Sequence, residues 1–280
     1  MSLLVMVIFD YVYTSTYSHA FPRTKFQYLR SLENKRIDFI FLGSSRVENT
    51  IVPKLIIDKT GKSALNLGFQ AARMSDIYVL LKLIKEYNIK TEKILIQVDY
   101  IFNIEEEYSN LLPYQIMPFI KENQATKDYF NLHFINKKEL YYIPFYRYGI
   151  FESKIGFREF FLNGIHKKTP ITENYGFYGL EGNTTNFDES LPGNISQGNS
   201  YLNKIKAYAM DNDMEIQFFC APFSKKTKNL NYIKKLKQKI PELYDFSQAI
   251  SDDTMFQNAY HLNKEGAHYF TEKVINKMLK

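Results

Sequence analysis

The sequence predicts an α/β protein, a three-layer α/β/α sandwich with a mainly parallel sheet and a largely helical, aromatic-rich insertion. Short apolar runs alternate with amphipathic, helix-length segments before residue 100 and again after residue 200. Between about 101 and 200 this alternation is lost, and the chain contains no internal repeat or low-complexity linker. A length of 280 residues suits one domain with a large insertion.

Three strands joined by helices are predicted in the first part of the chain. The strands are Asp38–Leu42, Ala64–Gly68 and Lys93–Val98, and the helices run from Pro53 to a cap at Gly61 and from a cap at Ser75 through Ile84. The first strand stops at Gly43-Ser44-Ser45, which indicates a tight turn. Strands with helical connections pair in parallel, so these three form one sheet.

The alternation resumes near the carboxyl end and closes the same domain. The predicted elements are a helix over Tyr201–Met210, a strand over Glu215–Cys220, a lysine-rich helix after Leu230 and a terminal helix after Asn263. We therefore expect an N-terminal segment 1–30 and one domain 31–280 that carries the insertion 101–200.

The insertion is rich in aromatic residues, with nine of them in the twenty-one positions from Tyr141 to Phe161. Aromatic side chains usually pack, which favours an internal core over the wall of a binding cleft. The glycines of Gly176-Phe-Tyr-Gly179-Leu-Glu-Gly182 follow no predicted strand, so they lack the context of a phosphate-binding loop.

Composition excludes several classes of protein. The net charge is +6, and seven lysines fall between Lys225 and Lys239, but no nucleic-acid-binding motif accompanies them, which favours a solvated helix face. The single Cys220 excludes an intrachain disulfide and is expected in the core. No two of the five histidines have metal-ligand spacing, so we expect neither a catalytic metal nor a cofactor.

The N-terminal segment begins with an apolar run, Leu3 to Phe9, that is too short to span a bilayer. It favours the end of a longer membrane anchor, with a buried first strand or helix as the alternative. An anchored domain is expected at the outer face of a bacterial inner membrane; without an anchor the protein is expected in the cytoplasm.

Two residues at opposite ends of the chain are candidates for chemistry. Ser45 follows the first predicted strand, and ligands of open parallel sheets bind beyond the carboxyl ends of strands. His261 lies just before the last helix, with Asn258 three residues earlier. The alternative for the Ser44-Ser45 pair is a turn residue or helix cap.

The motifs around these residues resemble those of one family. Gly43-Ser44-Ser45-Arg46 is similar to the Gly-Asp/Ser-Ser block of SGNH (GDSL-like) hydrolases, and the segment from Asn258 through His261-Leu-Asn is similar to their closing Asp-x-x-His-Leu-Asn-x-x-Gly block. Gly68 stands where their second-block glycine is expected. The resemblance covers both ends of the chain, leaves the middle hundred residues unmatched, and implies a flavodoxin-like sheet.

What the resemblance implies is acyl transfer with Ser45 as nucleophile and His261 as base. The amide N–H groups of Ser45 and Gly68 would form the oxyanion hole. The residue that orients the histidine is Asn258 where the family has Asp. Asp252 or Asp253 could orient His261 instead, or the site could work as a Ser-His dyad.

Arg46 and Asp99 are assigned to substrate binding. Arg46, beside the predicted nucleophile, could pair with an anionic substrate or with a nearby acid such as Glu48. Asp99 follows the third strand, where the family's Gly-x-Asn-Asp block is missing, and Asn103 comes a few residues later.

The leading functional hypothesis is a serine esterase or O-acyltransferase that acts on an acylated carbohydrate or cell-envelope polymer. The polymer follows from the resemblance alone, since GSSR-type members are linked to bacterial polysaccharide assembly. The alternative is a catalytically weakened glycan-binding protein on the same scaffold. A flavodoxin-like cofactor binder is disfavoured because the loop after the first strand has no Ser/Thr/Gly-rich phosphate cradle; the oligomeric state is left open.

Overall fold

A five-stranded parallel sheet lies at the centre of the computed structural model, which describes residues 2–105, 107–183 and 188–280. The strands are β1 (Phe39–Leu42), β2 (Ala64–Asn66), β3 (Lys93–Gln97), β4 (Ile216–Cys220) and β5 (Tyr244–Asp245). Their order is β2-β1-β3-β4-β5, with every neighbouring pair parallel. This is the flavodoxin-like order, in which the strand sequence reverses between β1 and β3.

Helices account for about half of the described chain. They are α1 (Leu3–His19), α2 (Lys25–Ser31), α3 (Ser45–Glu48), α4 (Pro53–Thr60), α5 (Met74–Glu86), α6 (Leu112–Ile116), α7 (Gln124–His133), α8 (Lys137–Tyr142), α9 (Tyr146–Ile150), α10 (Glu152–Ile155), α11 (Phe157–Gly164), α12 (Ser200–Asp211), α13 (Asn231–Lys239) and α14 (Lys264–Met278). Short 3₁₀ helices lie at Tyr100–Asn103, Met117–Phe119 and Asp253–Met255.

The sheet separates two hydrophobic cores, which gives the predicted three layers. Alternate strand residues point to opposite faces: Ile40 and Leu42 pack with α5, α12 and the insertion, whereas Phe39 and Phe41 pack with α4 and α14. The α/β/α sandwich with its parallel sheet and helical insertion is therefore confirmed.

Most of the predicted elements form within one or two residues of their expected limits. Gly61 ends α4 in the left-handed region at φ 69°, as its position predicts. The cap predicted at Ser75 is wrong. Helix α5 begins after Arg73, whose backbone N–H donates to the Asp76 carboxylate, while the Ser75 hydroxyl donates to the Glu107 carbonyl. The short β5 was not predicted, since two residues carry no periodicity.

The insertion packs its aromatic residues inward, as predicted. Of the nine between Tyr141 and Phe161, six are buried or pack against the larger core: Tyr141, Phe145, Tyr146, Tyr148, Phe151 and Phe160. The other three, Tyr142, Phe157 and Phe161, are exposed. The expected core thiol is also found, since Cys220 is buried and burial raises its pKa.

The N-terminal segment folds onto the insertion through two tyrosines of α1. Tyr13 and Tyr17 are buried, and Tyr17 donates to the Ile155 carbonyl at 3.0 Å. Among the described residues, no helix has both the length and the apolar character needed to cross a membrane.

Candidate active site

Ser45 is positioned by the tight turn between β1 and α3. It is the first residue of α3 and is 7% exposed. Gly43 is required for this turn, since a Cβ there would lie 2.4 Å from Val47 Cγ2. The Ser44 side chain points away from the cleft and donates to Gln97 Oε1 at 2.9 Å. Ser44 is therefore a helix cap, and Ser45 is the serine that faces the cleft.

His261 reaches Ser45 from the other end of the chain. It lies in the loop before α14, and its Nε2 is 2.8 Å from Ser45 Oγ. The predicted meeting of these two side chains is thus present, at the β1/β3 point where the strand order reverses and ligands of such sheets bind.

Asn258 fixes the protonation pattern of the imidazole. Its Oδ1 accepts the backbone N–H groups of Tyr260 and His261, each at 2.9 Å, and lies 3.0 Å from His261 Nδ1. Two backbone donors define which amide atom is oxygen, so the orientation of Asn258 does not depend on the ring. The ring must then carry its proton on Nδ1, which leaves the Nε2 lone pair directed at the Ser45 hydroxyl.

Neither neighbouring acid takes this orienting position. Asp252 accepts the backbone N–H and the hydroxyl of Thr254 at 2.9 and 2.7 Å. Asp253 accepts the Ser224 hydroxyl at 2.8 Å and pairs with Lys226 at 3.2 Å. Among the described residues, Asn258 is the side chain that contacts Nδ1.

The electrostatic surroundings keep His261 neutral. Burial, followed by the positive charge of Arg46, lowers the pKa of His261 from 6.5 to about 4. The imidazole is therefore a proton acceptor throughout the neutral range, and its basicity is weak.

Arg46 has a different role from the one predicted. Its guanidinium is fully buried and donates to Asp99 Oδ2 at 2.6 Å, so it pairs with Asp99 and not with Glu48 or a substrate. Asp99 is equally buried. The assignment of both residues to substrate binding is thus wrong, because neither side chain reaches the surface of the cleft.

The remaining donors of Arg46 bind the walls of the site. Nη1 donates to the Tyr260 carbonyl, next to His261, and Nη2 donates to the carbonyls of Ala221 and Pro222 at 2.7 and 3.0 Å. The guanidinium also lies 3.6 Å from the Phe223 ring centroid. Arg46 therefore joins the serine turn, the loop after β4 and the histidine loop, as five fixed donors allow.

The predicted oxyanion hole is only partly available. The Ser45 amide N–H lies at the amino end of α3 and has no hydrogen-bond partner among the described residues. The Gly68 amide instead donates to Asn66 Oδ1 at 3.0 Å, and Gly68 packs so closely that a Cβ would lie 2.6 Å from Glu48 N. In this structure Gly68 is a packing residue, which corrects its assignment as a free donor.

Asn103, the amide nearest the missing family block, is also engaged elsewhere. Its Oδ1 accepts from Ser196 N at 2.9 Å and from the Tyr232 hydroxyl at 3.0 Å. The side of the cleft beyond His261 is aromatic, with the Tyr100 and Tyr260 ring centroids 5.4 Å apart. The described residues contain no group of three or more side chains suited to a metal ion.

Comparisons with known proteins add little to this geometry. The chain matches no protein-family model and no curated protein. A solved structure from Streptococcus pneumonia, described as that of "a putative platelet activating factor", is similar at 12% identity over 98% of this chain and 93% of that one, with a TM-score of 0.41. At that TM-score the likeness carries no argument about activity.

Proposed function

We propose that the chain is a serine-dependent esterase or O-acyltransferase with Ser45 as nucleophile and His261 as general base. The observation that carries this proposal is the hydrogen-bonded series from Ser45 Oγ through the His261 ring to Asn258 Oδ1, with contacts of 2.8 and 3.0 Å. A nucleophile, a base and an orienting acceptor in contact are the parts that acyl transfer requires.

The first half of the reaction acylates the serine. Ser45 Oγ forms a bond to the ester carbonyl carbon while its proton moves to His261 Nε2. The tetrahedral intermediate collapses with cleavage of the ester C–O bond, and His261 returns the proton to the departing alkoxide. The Ser45 N–H, at the amino end of α3, donates to the carbonyl oxygen as it becomes negative.

The second half regenerates the serine. Water, or a hydroxyl of the acceptor, gives a proton to His261 and attacks the acyl carbon. The Ser45 Oγ–acyl bond breaks, and His261 returns the proton to Ser45. The identity of this acceptor is the difference between an esterase and an O-acyltransferase.

We take the substrate to be an acylated carbohydrate or cell-envelope polymer, on the outer side of a bacterial inner membrane. This part of the proposal is supported by the resemblance of Gly43 to Arg46 to the GSSR-type SGNH members. A glycan-binding protein on the same scaffold is the outcome to be distinguished.

The test is labelling by a serine-directed fluorophosphonate. We expect the wild-type chain to be labelled, Ser45→Ala to be unlabelled, and Ser44→Ala to keep its label because that hydroxyl faces Gln97. We also expect the wild-type chain to hydrolyse a small activated acetyl ester, and Ser45→Ala to lose that hydrolysis. Inertness of the wild-type chain toward both reagents would favour the binding protein.

A second experiment separates hydrolysis from transfer. Acetyl ester is supplied with and without a neutral oligosaccharide, and mass spectrometry measures acetate and acetylated sugar. An O-acyltransferase yields Ser45-dependent acetylated sugar; an esterase yields acetate alone.

A further inference from the structure

An exposed apolar surface lies where α1 packs beside α11. We call it the α1–α11 surface and define it by six large side chains, each more than half exposed: Leu4, Ile8, Tyr11, Phe157, Phe161 and Ile165. An apolar patch of this kind on a protein surface indicates a binding partner.

The two helices present their apolar residues to the same side of the molecule. Tyr13 of α1 stacks on Phe160 of α11 with ring centroids 4.0 Å apart, and Thr16 lies against Gly164 further along. The helices therefore run side by side in parallel. Phe157 and Phe161 flank Phe160 with centroids 6.4 Å away in each case, so they border this seam.

The side of α1 that faces solvent is apolar, whereas an ordinary surface helix exposes polar residues to water. Between residues 3 and 12 Asp10 is the one charged residue, and it pairs with the buried Arg147 at 2.7 Å. The remaining outward side chains of this stretch are apolar. The outward face of α11 is apolar as well. It carries Phe157, Phe161 and Ile165, whose spacing of four residues aligns them on one helix face.

The charges beside this surface are mainly basic, and one exposed acid, Glu152 of α10, lies near Tyr13. Arg158, Lys167 and Lys168 are exposed on or just after α11. The Lys168 ammonium lies 5.5 Å from the ring centroid of Phe21, whose side chain is itself half exposed. The acid of this helix, Glu159, is already paired with Arg23 at 3.2 Å.

We propose that the α1–α11 surface binds a membrane that contains anionic lipid. Aromatic and aliphatic side chains beside lysine and arginine are the combination that lies in a bilayer interface, with rings at the headgroup boundary and cations at the phosphates. The same charges disfavour a second copy of the chain, because a contact between two copies of this surface would bring two sets of the cations Arg158, Lys167 and Lys168 into one interface. This proposal does not depend on the chemistry at Ser45.

The test is vesicle flotation with the purified 280-residue chain. The vesicles are phosphatidylcholine alone, or phosphatidylcholine mixed with phosphatidylglycerol. One double variant, Phe157→Ser with Phe161→Ser, removes the rings, and another, Lys167→Gln with Lys168→Gln, removes charge. Met210→Ser with Tyr269→Ser is the matched control, because it removes two exposed large side chains on α12 and α14.

We expect the wild-type chain to float with the anionic vesicles and at least about tenfold less with neutral ones, since each basic residue near an anionic surface adds to binding. The phenylalanine variant loses at least about tenfold with both vesicle types. The lysine variant loses binding to anionic vesicles alone, and the control behaves as wild type. Thermal unfolding followed by circular dichroism verifies that each variant is folded.

Three results would overturn the proposal. The first is a folded wild-type chain that floats with neither vesicle. The second is a control variant that loses as much binding as the phenylalanine variant. The third is a dimer in light scattering that becomes a monomer in the phenylalanine variant while no form binds vesicles; it would assign this surface to self-association.

Discussion

Replacing Asn258 by aspartate tests what the amide contributes at the candidate active site. In the wild-type chain Asn258 Oδ1 already holds the Nδ1 proton of His261 at 3.0 Å. The loss of about 10⁴ in turnover seen for the same exchange in the protease triad comes from a wrong tautomer. Here the backbone N–H groups of Tyr260 and His261 fix the oxygen toward the ring. That loss therefore does not apply. The variant adds a charge beside the ring and replaces the Nδ2 donor that Gln257 Oε1 accepts.

The expected gain follows from the distance between the new carboxylate and the imidazolium. Two unit charges about 4 Å apart interact by about 4 kcal/mol at an effective dielectric constant of about 20, which sets an upper limit near a thousandfold in rate. Desolvation of a partly buried carboxylate offsets part of this. We therefore expect Asn258→Asp to raise kcat/KM on a small activated acetyl ester by at least about tenfold.

The assay is a pH profile of kcat/KM, with Gln257→Glu as the matched control. That control adds the same charge at the neighbouring residue, whose side chain contacts the Asn258 amide rather than the His261 ring. A carboxylate on the ring raises the pKa of His261. The decline of kcat/KM at acid pH then begins at a higher pH in Asn258→Asp than in the wild type. The gain in kcat/KM is largest at pH values above both declines.

Two outcomes would refute this reasoning. An unchanged rate and an unchanged acid limb in Asn258→Asp would mean that no imidazolium forms in the limiting step. Loss of activity in Asp252→Ala or Asp253→Ala, with Asn258→Asp silent, would place the orienting acid in the preceding loop.

Three further predictions concern pH, the buried cation and one glycine. Because neutral His261 is the proposed base and its pKa is lowered to about 4, wild-type kcat/KM is expected to stay constant as pH falls from 7 to about 5 and to decline only near 4. A limb near 6.5 would contradict the burial of the ring. Arg46→Lys is expected to lower kcat more than it changes KM. Arg46→Met leaves buried Asp99 uncompensated and is expected to lower the free energy of unfolding in urea by about 3–5 kcal/mol. Adding Asp99→Asn should recover part of that loss. Gly176→Ala is expected to lower the free energy of unfolding by about 2 kcal/mol or more, because φ is +88° and a Cβ would clash with the Asn66 carbonyl oxygen. Gly193→Ala is the control and is expected to leave stability unchanged, because a Cβ there would meet open space.

The fold was predictable wherever local pattern and long-range packing agree. Strands such as β1 and β3 are short apolar runs bounded by turn residues, and α4 has both Pro53 at its start and Gly61 at its end. The parallel order follows from the helical connections. By contrast, the cap of α5 formed at Arg73 because Asp76 accepts its backbone N–H at 2.8 Å, and arginine is not a residue type that predicts a cap.

The candidate site was predictable in its positions but not in its contacts. Ser45, His261 and Asn258 follow from their places in the chain together with the resemblance of the surrounding motifs to those of SGNH hydrolases. The role of Arg46 depends on three carbonyl groups from the segments 221–222 and 260, about 175 and 214 residues away. The engagement of the Gly68 amide by Asn66 depends on one side-chain rotamer. Neither contact has a sequence pattern, because both are set by how distant loops meet.

The charges around Ser45 indicate how such a site would work without an aspartate. Arg46 is paired with Asp99 inside the protein and still disfavours a charged His261, and His261 and Asn258 are uncharged. When His261 takes the proton of Ser45, the counter-ion of the new imidazolium is therefore the oxyanion formed in the same step. The two charges arise together in a partly buried site, where their attraction is stronger than in water. Stabilisation of the oxyanion by the Ser45 N–H would then also stabilise the charged base. Catalysis of the proposed kind would depend on that donor more heavily than in a site whose histidine has its own carboxylate.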